Sequence, residues 1–157
     1  MLNVRLGVPS VWKSWEPIAR QLHEPLRRMS EALQGEYGGP MENLWIVVEL
    51  SPGEMKRRRP WAFRLQKRVS GRWDQCKYLV APDSYNVGHY SVCPDFELLM
   101  SMPEDRVVPY ILGLLLDSLE SLRGLKRLKG FDLDGFRQVF ISSAETLGYE
   151  IESRRRA

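Results

Sequence analysis

Cysteine is nearly absent from this chain: Cys76 and Cys93 are the two thiols, and neither belongs to a CxxC or another metal-type spacing. Closed zinc sites draw their ligands from such pairs, so a structural zinc is excluded. Histidine is just as scarce, with His23 and His89 alone and no HxxxH pair. No GxxxxGK[ST] or GxGxxG loop is present, which removes the backbone cradle of a nucleotide-dependent enzyme. The longest apolar run, around Val107 to Leu116, is broken by Pro109 and Gly113 and is too short to span a bilayer. The start, MLNVRLGVPS, lacks the apolar core of a secretion signal. The expectation is a cytoplasmic protein with free thiols, although Cys76 and Cys93 could pair if they lie on neighbouring strands.

What is present suits one ordinary globular domain. The chain has 157 residues, 43% of them apolar and 27% charged, a balance typical of soluble folded proteins. Its net charge of +3 is unevenly spread. Residues 1–50 sum to −1 and residues 91–157 to −2, whereas residues 51–90 carry nine basic and three acidic side chains. A local patch of +6 steers acidic partners, and it belongs to the middle of the chain alone.

Hydrophobic spacing assigns the elements. Ser14 to Gln34 reads as a helix with Ser14 as N-cap, Gly35 as stop, and a stripe of Ile18, Leu22, Leu26, Met29 and Leu33. Pro25 falls inside it and predicts a kink or two short helices. Leu44 to Leu50 (LWIVVEL) is a buried central strand. Trp61, Phe63, Leu65 and Val69 alternate with Arg64, Gln66 and Arg68 in a half-buried second strand. A turn at Ser70-Gly71 leads to a third strand over Trp73 to Ala81, and His89 to Cys93 supplies a fourth. Beyond these, Ser101 and Glu104 have capping-box spacing ahead of an apolar helix from Val108 to Leu122. Asp132 caps a last helix that Gly148 stops. Strands in a run with helices at both ends predict an α+β fold. The expected form is an antiparallel meander of about four strands packed against an N-terminal helix and two C-terminal helices. Residues 1–151 would form this single domain and residues 152–157 a polar tail.

Three chemistries compete for the polar residues. The stretch from Asp83 to Asp95 collects His89, Cys93, Ser91 and Tyr85, and alternate residues of a strand share a side, so a small hydrolase or transferase using His89 and Cys93 is one reading. A GxSxG elbow is missing, which favours a structural or contact role. Asp132-Leu133-Asp134-Gly135 begins like a calcium loop but lacks the later ligands, and a capped helix start accounts for its carboxylates. The basic segment 56–72 offers phosphate contacts, with Trp61, Trp73 or Tyr78 as stacking partners, so nucleic-acid binding is a second reading. Its aromatics follow the buried periodicity of Leu65, however, and no RNP pattern is present.

The third reading is a protein-binding module, since Trp, Tyr and Arg dominate interface hot spots. Trp12 and Trp15, ahead of the first helix, are the tryptophans least tied to a core period. The stretch NVGHYSVCPDFELL, Asn86 to Leu99, followed by a Leu-rich helix in a small α+β chain, resembles the immunity proteins of bacterial toxin systems. That resemblance implies a protein that binds and neutralises a cognate toxin, and the missing catalytic, nucleotide and metal motifs lead to the expectation that it is non-enzymatic, with no cofactor and no metal. Immunity proteins to nuclease toxins are usually acidic, so the basic middle here implies a toxin with an acidic surface. The expected contacts are Arg57, Arg58, Arg59, Arg64 and Arg68, joined by Tyr85 and His89.

Overall fold

The computed structural model describes residues 1–8, 16–48, 76–80, 87–123 and 129–152. Leu2, Val4 and Leu6 alternate with Asn3 and Arg5, and this period of two makes a first strand, β1 (Asn3–Gly7), that buries its apolar side. The sequence reading left this strand out. The following helix, α1 (Glu16–Leu33), buries Leu22, Leu26, Met29 and Leu33 as the spacing predicts. Pro25 lies within α1 without ending it, so the alternative of two short helices is corrected to one. On the solvent side, Glu16 pairs with Arg20, and Arg27 lies between Glu24 and Glu31 at helical spacing.

β2 (Asn43–Val48) runs parallel to β1, with Val4 opposite Leu44 and Leu6 opposite Ile46. Its other edge pairs, also in parallel, with β4 (Val87–Cys93), where Val48 meets Val92. β3 (Cys76–Val80) lies antiparallel on the outside of β4, giving the order β1-β2-β4-β3. The expected antiparallel meander is therefore wrong: among the described residues two of the three seams are parallel. The reason is connectivity. α1 carries the chain back between β1 and β2, and a return crossover of this kind makes neighbours parallel. β4 then inserts beside β2, so that among the described residues β3 comes last in the strand order.

After Pro94, Asp95 starts a short helix, α2 (Phe96–Ser101), by accepting a hydrogen bond from the Leu98 N–H. Ser101 ends that helix, with its hydroxyl donating to the Leu98 carbonyl. The expected capping box of Ser101 and Glu104 is not formed, because Ser101 is spent on the preceding turn. A 3-10 turn (Glu104–Arg106) leads into α3 (Val107–Ser118), extended by a second 3-10 turn (Leu119–Leu122). α3 is apolar nearly all round and buried, as its sequence implies for a central core helix. α4 (Leu133–Leu147) turns Phe136, Phe140 and Ala144 inward and ends at Gly148, whose φ of 81° is the left-handed stop that glycine adopts freely.

The chain beyond Gly148 returns to α3. The Glu152 N–H donates to the Pro109 carbonyl at 3.0 Å, and Arg106 pairs with both Glu150 and Glu152. Gly113 permits this approach: a Cβ there would stand 1.7 Å from the Glu152 carbonyl oxygen. The glycine that interrupts the apolar run is thus the seat of the C-terminal segment. Among the described residues no helix is long and apolar enough to cross a membrane.

Candidate functional site

The alternation in β1 and β2 sorts side chains between two faces. Leu44, Ile46 and Val48 are buried against the helices, while Asn43, Trp45 and Val47 on the other face are half-buried beside exposed Asn3 and Arg5. Strand register extends this second face across the sheet. One row runs Arg5–Trp45–His89–Val80, and the next runs Gly7–Val47–Ser91–Tyr78. His89, expected in an exposed loop and short strand, is mid-sheet by register, on a strand paired along both edges.

A groove of about 940 Å³ follows β1 between this face and α1. Arg5, Trp45 and Val47 line it from the sheet, and His23, Glu24, Arg27 and Glu31 from the helix. The helix side is electrostatically closed on itself. Hydrogen bonding and charge from Arg27 hold the Glu24 carboxyl below its ordinary pKa, and the two glutamates raise that of the guanidinium. At the bottom of the groove, α1 seals the outer edge of β1. The Gln34 amide bonds both backbone groups of Val4, the Ser30 hydroxyl accepts from the Leu6 N–H, and Leu2 pairs with the Gly35 backbone. An edge satisfied in this way offers no template for an added strand.

The strand ends fix where the connections attach. Gly7 is opposite Val47, Val48 opposite Val92, and Cys93 opposite Cys76. The carboxyl ends of β1, β2 and β4 therefore share one end of the sheet with the start of β3. Val48 and Cys76, which flank residues 49–75 with their arginine cluster, both lie at that end. Residues 81–86 attach at the opposite end, through Val80 and Val87.

Arg57, Arg58, Arg59, Arg64, Arg68 and Tyr85 lie outside the described residues, as do the expected strand at 61–69 and Trp12, Trp15, Trp61 and Trp73. Of the expected contact residues, His89 is placed, in the row of Trp45. Sequence reasoning missed Arg5 as a neighbour of this row. The signal was the alternation of Leu2, Val4 and Leu6, which marks β1 and sets Arg5 on its polar side.

Other candidate groups are engaged locally. Asp95 caps α2, and Asp132 caps α4 by accepting from the Gly135 N–H at 2.9 Å. Arg123 bridges Glu120 and Asp134, and hydrogen bonding to Arg123 holds the Asp134 carboxyl below its ordinary pKa. Arg137 also reaches Glu120, and Arg28 lies over the Tyr149 ring, 5.7 Å from its centroid. The calcium-like start at Asp132 is thus a helix cap with a surface ion pair, as the sequence implied. Among the described residues no group of three or more His, Cys, Asp or Glu could hold a metal ion. No protein-family model, curated protein or solved structure matches this chain.

Proposed function

We propose that this protein is a non-enzymatic binding protein that captures and neutralises a protein partner, a bacterial toxin domain with an acidic surface. The observation that carries this reading is where the basic segment attaches. The +6 of residues 51–90 is concentrated in a segment tied at both its ends, Val48 and Cys76, to the carboxyl end of the parallel strands. A concentration of positive charge attracts a complementary acidic surface and orients its approach. Arg5 and Trp45 on the adjoining face are of the residue types that anchor such interfaces.

The internal ion pairs favour a protein partner over nucleic acid. Arg20, Arg27, Arg106, Arg123 and Arg137 are each paired with carboxylates of the same chain. They add no basic stripe to the patch, and a stripe that tracks a phosphate backbone is what a nucleic-acid surface requires.

The test co-expresses the chain with toxin domains encoded in its gene neighbourhood. Protection of the host cells and a 1:1 complex whose affinity falls with salt are expected. Arg58→Glu combined with Arg64→Glu should weaken that complex by about tenfold or more. Undiminished affinity would remove the patch, and failure to protect or bind would remove the reading. Retardation of DNA or RNA with a steep salt dependence would instead establish nucleic-acid binding.

A further inference from the structure

We propose that Cys76 and Cys93 form a reversible disulfide when the protein meets a peroxide, so that this thiol pair is a modification site stapling β3 to β4. The two residues are Cα partners in the antiparallel register of β3 and β4. Directly opposed residues in such a pair have Cα atoms about 4.5 or 5.5 Å apart, depending on the hydrogen-bonding class. Both separations fall within the roughly 4.4–6.8 Å that a disulfide spans. Opposed positions also carry their Cβ atoms on the same face of a sheet, so backbone geometry favours the link.

Position adds a consequence. Cys76 is the first residue of β3 and Cys93 the last of β4, which sets the pair at the open end of the hairpin. β3 ends the strand order, with β4 its strand neighbour among the described residues. Among the described residues β3 is paired along one edge, to β4, and the open end of a hairpin is where its two strands separate first, so a covalent link there has most effect. The same residue, Cys76, is the first described residue after the basic segment. Oxidation therefore fixes one attachment of that segment.

The reaction balances with hydrogen peroxide as oxidant. One thiolate attacks the peroxide, its O–O bond breaks, and a sulfenic acid and hydroxide result. The second thiolate attacks the sulfenic sulfur, the S–S bond forms, the S–O bond breaks, and hydroxide leaves. Two thiols have lost two hydrogens, and one peroxide has become two waters. A dithiol reductant reverses the change by thiol–disulfide exchange.

The experiment treats the full folded chain with hydrogen peroxide at neutral pH, blocks free thiols with iodoacetamide, and reads the intact mass and the non-reduced peptide map. The expected product is a monomer lighter by two hydrogens that takes up no alkylating agent. A Cys76–Cys93 cross-linked peptide should appear in its map and vanish on reduction. The melting temperature should rise by about 5 °C on oxidation and show no such rise in Cys93→Ser or Cys76→Ser. Thiols that stay open to alkylation, or that oxidise separately to sulfinic acids or into intermolecular dimers, would overturn the proposal. The mass readout on the unmutated chain decides the matter even if a serine variant fails to fold, and it requires no binding partner.

Discussion

The side-chain amide of Gln34 pairs with the backbone of Val4 as a neighbouring strand would. Its Nε2 donates to the Val4 carbonyl at 2.7 Å, and its Oε1 accepts from the Val4 N–H at 3.3 Å. One helical turn earlier, Ser30 Oγ accepts from the Leu6 N–H at 2.8 Å. The residue that follows α1 thus completes the ladder of an edge strand, so Gln34→Leu strips both partners from Val4. We expect a loss of about 2 kcal/mol in urea unfolding, the usual cost of leaving such groups unpaired. Light scattering should also show association that grows with concentration, because the bared edge becomes a template.

Gly113→Ala should displace the C-terminal segment. The added methyl would occupy the position of the Glu152 carbonyl, 1.7 Å away, and backbone cannot move aside as a flexible side chain can. Overpacking of this kind costs about 1–3 kcal/mol. Faster hydrogen exchange at the Glu152 amide, which Pro109 now holds, would report the release directly. Unchanged exchange with unchanged stability would show that the segment is not seated there.

Asp132 and Gly135 should act as one unit. The capping carboxylate lies where a Cβ on Gly135 would sit, 2.2 Å from Asp132 Oδ2. Asp132→Ala should cost about 1 kcal/mol through loss of the cap. Gly135→Ala would force the same carboxylate away. In a double-mutant cycle the pair should therefore lose clearly less than the sum of the single changes, whereas strict additivity would contradict the geometry.

The Asp134–Arg123 pair should appear in the acid limb of stability. Arg123 holds the Asp134 carboxyl below its ordinary value of 3.8, so the folded state favours the ionised form. That contribution is present above the unfolded value and lost as pH falls through the lower folded value. Asp134→Asn should therefore narrow the stability difference between neutral pH and pH below 3.8, a comparison made by thermal melts. The side chains are exposed, so molar salt should shrink the difference, and a salt-insensitive effect would point to another cause.

The three longer helices, α1, α3 and α4, were legible because their signals are local. Asp132 and Gly148 bound α4 through hydrogen bonds within a few residues, and the α1 stripe from Leu22 to Leu33 faces the core as its spacing requires. β2 was legible as a central strand because its apolar density needs cover and pairing, and it does lie between β1 and β4. Ser101 misled because its spacing to Glu104 fits a cap equally well whether or not a preceding helix consumes it.

Strand partners were not legible. Each of the strands satisfies the same backbone chemistry with any neighbour, and sequence order suggested pairing in succession. Of the expected contact set, the chain alone identified the residue types and the charge, while His89 became mid-sheet only through register with Trp45 and Val80.

The sequence by itself determined the positions of the three longer helices, the apolar core and the concentration of positive charge between residues 51 and 90, but not the short α2. Those properties depend on spacing along the chain, which a linear reading contains. Tertiary structure alone decided that β4 lies beside β2, that Cys76 meets Cys93, and that the basic segment begins and ends at one end of the sheet. Each is a relation between distant segments. Its energy comes from backbone pairing and a shared buried face that exist only once the sheet is assembled.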